Sequence, residues 1–408
     1  STGSGRIENY TGFRCFLPKL SRNVEEIDNH PEYYDRKNYF EIHFPPLLDI
    51  LTKGDLRNHP EFTKSIMPTL IILYLERSTS SPWNDDKCLE YARKLNRTFQ
   101  SAYRLSLESV FLYSDFCNIQ EVFDHMLMEL NMKATSQDFK KYPGLIKAYY
   151  LLMKNIKDFK ITYNPVTIFP ICLLLIEDYV IANRMRGLRC CLAMLNCLEG
   201  KHFQDGNYYE VIFSSLKKTM SKKTLEVTKL VHECLLEFIR ILPPNAKVAK
   251  TDEIFGIMLE QIHVESNLHR KTACFGFIKN ILMIHKVNCV NKRLLKIVLC
   301  ENVHVCCNDA VADILLVDVL QTLQVWITHC WCVWRLSSDH KLLSALIKLL
   351  YVSRKEKIAS DIQELLVSLI SLCTKEEQKT ILKNLEQSEI TSPEFQEKLE
   401  EIKNDICV

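Results

Sequence analysis

The chain has 408 residues, of which 47% are hydrophobic and 25% are charged, a balance that is typical of a protein with a packed core and excludes intrinsic disorder. Only 10 glycines and 13 prolines are present, which disfavours nucleotide-binding α/β folds and β-rich folds, because both need glycine in their turns. The 52 basic and 50 acidic side chains leave a formal charge of +2, so no strong overall field attracts nucleic acid or an anionic membrane.

Residues 1–135 have the least regular pattern, and we predict a helical N-terminal region there. Residues 1–5, Ser-Thr-Gly-Ser-Gly, resemble a cloning remnant. Polar breaks at 77–82 and 132–137 divide the region, and the stretch 85–113 is predicted to be one long helix. We see no signal peptide, and the longest apolar run, 168–176, is much shorter than the ~20 residues that span a bilayer. We therefore expect a cytoplasmic and nuclear protein.

Helical periodicity continues through residues 138–390, where apolar residues recur at intervals of three and four. The predicted helices form pairs: 178–199 with 206–219, 224–242 with 251–263, 267–286 with 291–300, 309–335 with 339–352, and 358–373 with 375–386. A pair spacing of about 40–45 residues is typical of HEAT and armadillo repeats. We predict an all-α fold, a HEAT/armadillo-like α-solenoid of antiparallel helix pairs, with a compact helical bundle as the alternative. Residues 391–408 are predicted to form a polar C-terminal capping helix or tail.

Possible catalytic and metal-binding chemistry is limited to cysteine and histidine. Cys300, His304, Cys306 and Cys307 fall within eight residues and form the best zinc candidate. Adjacent cysteines point in divergent directions, however, so we expect separate buried thiols and no metal. None of the 17 cysteines lies in a local signature of a nucleophile, and glycine-rich phosphate-binding motifs are absent from the sequence. The residues therefore predict no cofactor and no enzyme activity.

The predicted helix 309–335 contains three of the four tryptophans. Its apolar residues from 323 to 334 cover an arc of about 140° at 100° per residue, which is wider than the stripe that one neighbouring helix buries. Burial against both flanking repeats is one interpretation, and it makes Trp334 a core residue. In the other, Trp326 or Trp331 anchors a partner protein, and Arg335, just outside the arc, binds a partner carboxylate. We therefore predict Trp326, Trp331 and Arg335 as protein-binding residues.

A cluster of basic residues, Arg184, Arg186 and Arg189, lies in the predicted helix 178–199. Because Leu188 and Cys191 mark the buried face of that helix, we expect the three arginines to face solvent. The alternative is a contact with a partner or with nucleic acid.

The segment Met185–Cys190, Met-Arg-Gly-Leu-Arg-Cys, opens a predicted helix, and Leu320–Leu323, His329–Trp331 and Leu342–Leu349 follow about 140 residues later. In this order and spacing the chain resembles the Tel-two-interacting protein two family, the third member of the TTT co-chaperone complex, over residues 170–390. Cys332 stands where the family pattern has proline, which predicts that the helix continues past Trp331.

The resemblance implies a non-catalytic HEAT-like scaffold that acts with two larger helical-repeat subunits, Tel-two and Tel-two-interacting protein one. It also implies a role in the folding, stability and assembly of phosphatidylinositol-kinase-related protein kinases such as mTOR, ATM and ATR, with the heat-shock chaperone and its adaptor ATPases. We expect no membrane or direct nucleic-acid partner. An importin-like adaptor is the alternative, which the charge of +2 disfavours because such solenoids are strongly acidic. The remaining alternative is an enzyme that depends on a thiol or on zinc.

Overall fold

The computed structural model describes residues 19–24, 29–53, 55–336, 340–387 and 392–407, with only the backbone at 334–336 and 407. Every regular element in these ranges is helical, which confirms the prediction of an all-α fold. The α-helices are α1 (Pro31–Thr52), α2 (Met67–Arg77), α3 (Asp86–Tyr103), α4 (Ile119–Lys133), α5 (Pro143–Lys154), α6 (Pro165–Ile168), α7 (Pro170–Glu177), α8 (Ile181–Leu195), α9 (Tyr208–Met220), α10 (Leu225–Ile241), α11 (Pro244–Val264), α12 (Leu268–His285), α13 (Leu294–Val305), α14 (Asp309–Cys330), α15 (Lys341–Val352), α16 (Glu356–Ser371), α17 (Lys375–Glu386) and α18 (Pro393–Cys407).

Side chains at the helix ends set several of these bounds. Thr374 and Glu377 form the capping box of α17, in which each side chain accepts a hydrogen bond from the other residue's backbone N–H. Asn308 caps α14 by accepting a hydrogen bond from the N–H of Ala310. Arg104 ends α3 in the left-handed region, at φ 61°. The prediction of one helix over 85–113 is therefore wrong, and a 3-10 turn, Leu107–Leu112, follows α3.

The chain divides into two compact units. The first comprises residues up to 220 together with 233–243, and the second comprises 221–232 and the residues from 244 onward. The predicted limits at 135 and 390 fall within these units and stay predictions.

Close packing of α7 against α8 is a central feature of the first unit. A Cβ atom added at Gly187, in the middle of α8, would lie 2.7 Å from the backbone nitrogen of Ile176 and 2.9 Å from Cβ of Leu175. Only glycine allows the two helices this approach. The glycine of the Met-Arg-Gly-Leu-Arg-Cys segment therefore has a structural role in the pairing of α7 and α8.

The second unit repeats one arrangement along the chain, with α12 packed beside α14 and α13 beside α15. Hydrogen bonds join α12 to α14 at a constant offset of 42 residues: Lys279 Nζ donates to Gln321 Oε1 (2.8 Å), and Thr272 Oγ1 donates to the carbonyl of Ile314 (3.2 Å). This offset is the predicted repeat spacing. The chain is a helical-repeat protein.

The buried Arg270 connects α12 to the beginning of α10 within the second unit. Its guanidinium pairs with Glu265 and donates to Thr228 Oγ1 (3.0 Å) and to the carbonyl of Lys222 (3.1 Å). His232 of α10 stacks on Phe277, with ring centroids 4.5 Å apart. Burial, reinforced by the nearby Arg270 cation, lowers the pKa of His232 to about 3, so this histidine is neutral and serves packing.

Two helical stretches, Leu268–Asn291 and Asp309–Val333, are long and apolar enough to cross a membrane by length and composition. They contain α12 and α14, which pack against each other in the second unit. Core helices of soluble proteins meet the same criterion, so it is a weak indication of a membrane span.

Candidate protein-interaction surface

The three residues predicted to bind a partner differ in their surroundings. Trp326 lies in α14 and is only 2% exposed, so its ring is part of the core. Trp331 follows the end of α14 and is 55% exposed. The side chain of Arg335 lies outside the described residues, as does that of Trp334. Of the three predicted anchors, the structure thus presents the ring of Trp331 at the surface.

The spacing of the two tryptophans along the helix explains why they differ in exposure. The α-helix ends at Cys330 and continues as a 3-10 turn, Trp331–Leu336. The predicted end of the α-helix at 335 is therefore wrong, although a helical turn of 3-10 type does continue past Trp331. Trp331 follows Trp326 by five residues, which places it about 140° around the helix axis at 100° per residue, so it leaves the face that buries Trp326.

Trp331 is one of several exposed apolar residues at the C-terminal ends of α12 and α14. The thiol of Cys330 donates a weak hydrogen bond to the carbonyl of Lys286 (3.8 Å), which brings Trp331 beside the turn that follows α12. That turn begins with Lys286 and Val287, and Val287 is 62% exposed. Met283 and Ile284, one turn earlier in α12, are also exposed. We call Met283, Ile284, Val287 and Trp331 the rim surface.

The residues next to the rim surface are basic. Lys286 and Arg293, at the two ends of the turn between α12 and α13, are exposed and form no ion pair with any residue that the structure describes. Lys292 pairs with Asp252 Oδ2 (2.9 Å), and Nε2 of the buried His285 lies 3.5 Å from Asp252 Oδ1. Because Lys292 and His285 contact the same carboxylate, the end of the turn lies close to the end of α12. An exposed apolar surface with adjacent cations is typical of a protein-binding site.

Lys286 also has an unusual backbone conformation, with φ 51° and ψ −125°. This combination is sparsely populated by residues other than glycine and costs of order 1–3 kcal/mol. The cost is tolerated because the surrounding contacts fix the turn. The conformation stops α12 abruptly and turns the chain toward α13 with Val287 at the surface.

The predicted zinc candidates do not converge on one point. His304 is exposed, Cys306 is buried, and Cys307 donates a weak hydrogen bond to the carbonyl of Val303 (3.9 Å). Burial raises the pKa of Cys306 to about 12, so its thiol stays protonated. No three His, Cys, Asp or Glu side chains within the described ranges are placed to hold a metal ion. The absence of a metal in the protein stays a prediction.

Most described cysteines are buried, and all of them are free thiols. In the first unit, Cys172 donates to the carbonyl of Gly187 (3.2 Å) and Cys234 donates to that of Leu188 (3.3 Å). Burial raises the pKa of both thiols well above the usual value. Cys191 is fully buried as well, so no substrate can reach its sulfur. These thiols pack as small apolar groups.

The arginines of α8 differ from the prediction, which placed all three in solvent. Arg184 is buried, donates to the carbonyls of Ile176 (3.3 Å) and Asp178, and so caps the C-terminus of α7. Arg189 is exposed, and Arg186 is half-buried beside Asn183. No sequence signal identifies Arg184 as a cap, because its partners are backbone carbonyls of the preceding helix.

The side chain of Asp178 forms an ion pair that sequence reasoning missed. Lys140 Nζ lies 2.6 Å from Asp178 Oδ1 and 3.6 Å from the centroid of the Tyr179 ring, and both charged side chains are largely buried. A cavity of about 540 Å³ lies beside this pair and is also lined by Leu173, Leu174 and Val211. Asn183 donates to the other oxygen of Asp178 (2.8 Å), so both carboxylate oxygens are satisfied. The pair is a structural element of the first unit.

No protein-family model and no curated protein matches the chain. Among solved structures, one on Kap95p binding to RanGDP and nuclear import complex assembly has 12% identity and a TM-score of 0.49, covering 92% of this chain and 49% of that one. The chain thus spans about half the length of that protein. An engineered protein has 12% identity and a TM-score of 0.37, with 98% of both chains covered. A structure on tubulin recruitment by TOG domain arrays of microtubule polymerases has 11% identity and a TM-score of 0.28, covering 94% of this chain and 100% of that one. At these values the similarities say nothing about function.

Proposed function

We propose that this chain is a non-catalytic scaffold subunit of the TTT co-chaperone complex. It would support the folding, stability and assembly of phosphatidylinositol-kinase-related protein kinases together with Tel-two, Tel-two-interacting protein one and the heat-shock chaperone machinery. The proposal rests on the sequence resemblance over residues 170–390 and on the helical-repeat fold. The observation that carries it furthest is the exposed rim surface around Trp331, because repeat proteins bind partners through extended surfaces with a few aromatic anchors.

The test compares binding to the two larger subunits with thermal stability. Because Trp331 is exposed, replacing it by alanine together with Arg335→Glu should leave the melting temperature of the full chain within a few degrees of wild type. The same double variant should weaken complex formation at least tenfold, about 1.4 kcal/mol, in a binding titration. Wild-type affinity of the folded double variant would contradict the assignment of this surface, and the region 1–135 would be examined next.

Trp326→Ala is the matched control, since it removes a buried tryptophan from α14, which directly precedes the turn that carries Trp331. It should cost about 3–5 kcal/mol of stability and reduce binding only as far as it unfolds the chain. If the wild-type chain does not assemble with Tel-two and Tel-two-interacting protein one, the proposed function itself is wrong.

A further inference from the structure

The chain from α12 to the middle of α13 has an unusually one-sided charge. Between Glu265 and Glu301 the sequence contains seven Lys or Arg residues and no Asp or Glu. Several of these cations are engaged inside the second unit, for example Arg270 with Glu265, Lys279 with Gln321 and Lys292 with Asp252. Lys286 and Arg293 are exposed and lack an ion-pair partner among the described residues. Two exposed cations without such a partner therefore lie in the turn that carries Val287.

The two free cations and the exposed apolar side chains lie at one edge of the second unit. Cys330 contacts the carbonyl of Lys286, and the following residues on the two chains are Trp331 and Val287. Lys292, directly before Arg293, pairs with Asp252, and the same carboxylate lies beside His285 at the end of α12. A molecule that covers Val287 and Trp331 therefore meets positive charge and no free carboxylate of this turn.

We propose that the rim surface binds an amphipathic, acidic segment of a partner protein, whose apolar side chains cover Val287 and Trp331 and whose carboxylates pair with Lys286 and Arg293. The apolar contact supplies most of the affinity, and the charges select the partner and its orientation. This inference deepens the proposed function. It rests on that function only in expecting the segment to belong to one of the two larger TTT subunits.

Other occupants fit the chemistry less well. A second copy of this chain related by twofold symmetry would place the same cations against each other, since the turn contains no acidic residue. Nucleic-acid binding depends on neutralising several phosphates, and electrostatic membrane binding uses clusters of 4–8 basic residues. The rim surface has only Lys286 and Arg293 beside it as exposed cations without an ion pair among the described residues. The four exposed apolar side chains of the rim surface would also find no apolar group to contact on a phosphodiester backbone.

The first experiment reverses the charges. Lys286→Glu with Arg293→Glu should weaken binding of the full chain to the purified Tel-two and Tel-two-interacting protein one subunits at least tenfold, with an unchanged melting temperature. The salt dependence of binding should also become smaller, because two attractive charge pairs are lost. Lys357→Glu is the control, since Lys357 is exposed at the start of α16 and also without an ion pair among the described residues. Equal affinities of the double variant and this control would overturn the proposal.

The second experiment identifies the occupant directly and does not depend on the TTT assignment. A photo-crosslinking amino acid is placed at position 287 of the full chain in cells, and the cross-linked peptides are sequenced by mass spectrometry. Position 264 is the control, because Val264 is 79% exposed. It precedes α12 and position 287 follows it, so an 18-residue helix of about 27 Å separates the two positions. We expect at 287, and not at 264, a peptide with an excess of Asp and Glu and with apolar residues on one side. Changing its carboxylates to lysine should restore binding of Lys286→Glu with Arg293→Glu.

The outcomes separate the two proposals. An acidic amphipathic peptide from a protein other than the TTT subunits supports the inference, whereas failure of the chain to assemble with those subunits contradicts the proposed function alone. A neutral or basic peptide at 287, or no product beyond that at 264, overturns the inference whatever the partner is. Sedimentation with phosphatidylserine vesicles that Val287→Asp abolishes would identify a membrane surface and would overturn it as well.

Discussion

Glu76 is a carboxylic acid in α2 that is fully buried, and neither of its carboxyl oxygens has a hydrogen-bond partner among the residues that the structure describes. The neighbouring Arg77 donates to the carbonyl of Trp83 and to Asn84 Oδ1, and Lys133 pairs with Glu129. Burial, only partly offset by the Arg77 and Lys133 cations, raises the pKa of Glu76 to about 7. The folded chain therefore holds a proton at this site that the unfolded chain releases at much lower pH.

This difference predicts a pH-dependent stability. Between the ordinary glutamate pKa of 4.5 and about 7, the folded state binds more protons at Glu76 than the unfolded state does, so the unfolding free energy falls as the pH rises. Glu76→Gln removes this dependence. We expect its melting temperature to exceed that of wild type clearly at pH 8 and little or not at all at pH 5.

Thermal melts of both proteins at pH 5, 6, 7 and 8 provide the measurement. Glu61→Gln is the control, because it makes the same chemical change at an exposed glutamate of the same unit. A Glu76→Gln gain that is the same at pH 5 and pH 8 would mean that the carboxyl is ionised throughout this range.

At the scale of helices, hydrophobic periodicity predicted most elements because the stripe of buried residues is a property of the sequence. It did not predict helix ends that depend on backbone geometry. Lys286 ends α12 with a positive φ that a lysine rarely adopts, and α14 changes to a 3-10 turn at Trp331. The sequence could predict the tryptophan-rich region of the candidate site and the arc over which its tryptophans spread. It could not predict that Trp326 lies on the buried side of that arc, because this depends on which helices pack against α14.

The glycines of two helices allow a matched test of helix packing. Gly187→Ala should destabilise the chain by about 1–3 kcal/mol, because its Cβ would overlap the backbone of α7. Gly276→Ala, in α12, should stabilise it by about 0.5–1 kcal/mol, because a Cβ there meets no atom within 4 Å and alanine favours the helix. Chemical denaturation of the two variants measures both effects. A neutral Gly187→Ala would show that α7 and α8 are farther apart than described.

At the scale of the whole molecule, the chain combines 17 cysteines with a helical-repeat core that buries most of those described. Small apolar residues are needed wherever helices of one layer approach closely, and a buried thiol meets that need. The sequence predicted this use of cysteine from the apolar neighbours of the thiols. It could not predict which backbone carbonyl accepts a hydrogen bond from each thiol, such as that of Leu188 from Cys234. Those contacts depend on the packing of segments that are distant in the sequence.

We expect most thiols to react slowly with an alkylating reagent in the native state and all 17 to react after unfolding. Cys332 should react first, since it is the exposed cysteine of the described ranges and lies beside Trp331. Mass spectrometry of the alkylated peptides over time gives the order of reaction. Native disulfides, or rapid labelling of Cys172, Cys191 and Cys234, would contradict the burial of these thiols.

The division of α10 between the two compact units determines how the protein can be dissected. Its second half stabilises the first unit, where Phe238 stacks on Phe213 with ring centroids 5.8 Å apart. Its first half supplies Thr228, which holds Arg270 in the second unit. A cut on either side of α10 would deprive one fragment of part of its own core. Autonomous halves therefore need to overlap, one ending near residue 243 and the other starting near residue 221, so that each carries its own copy of this helix.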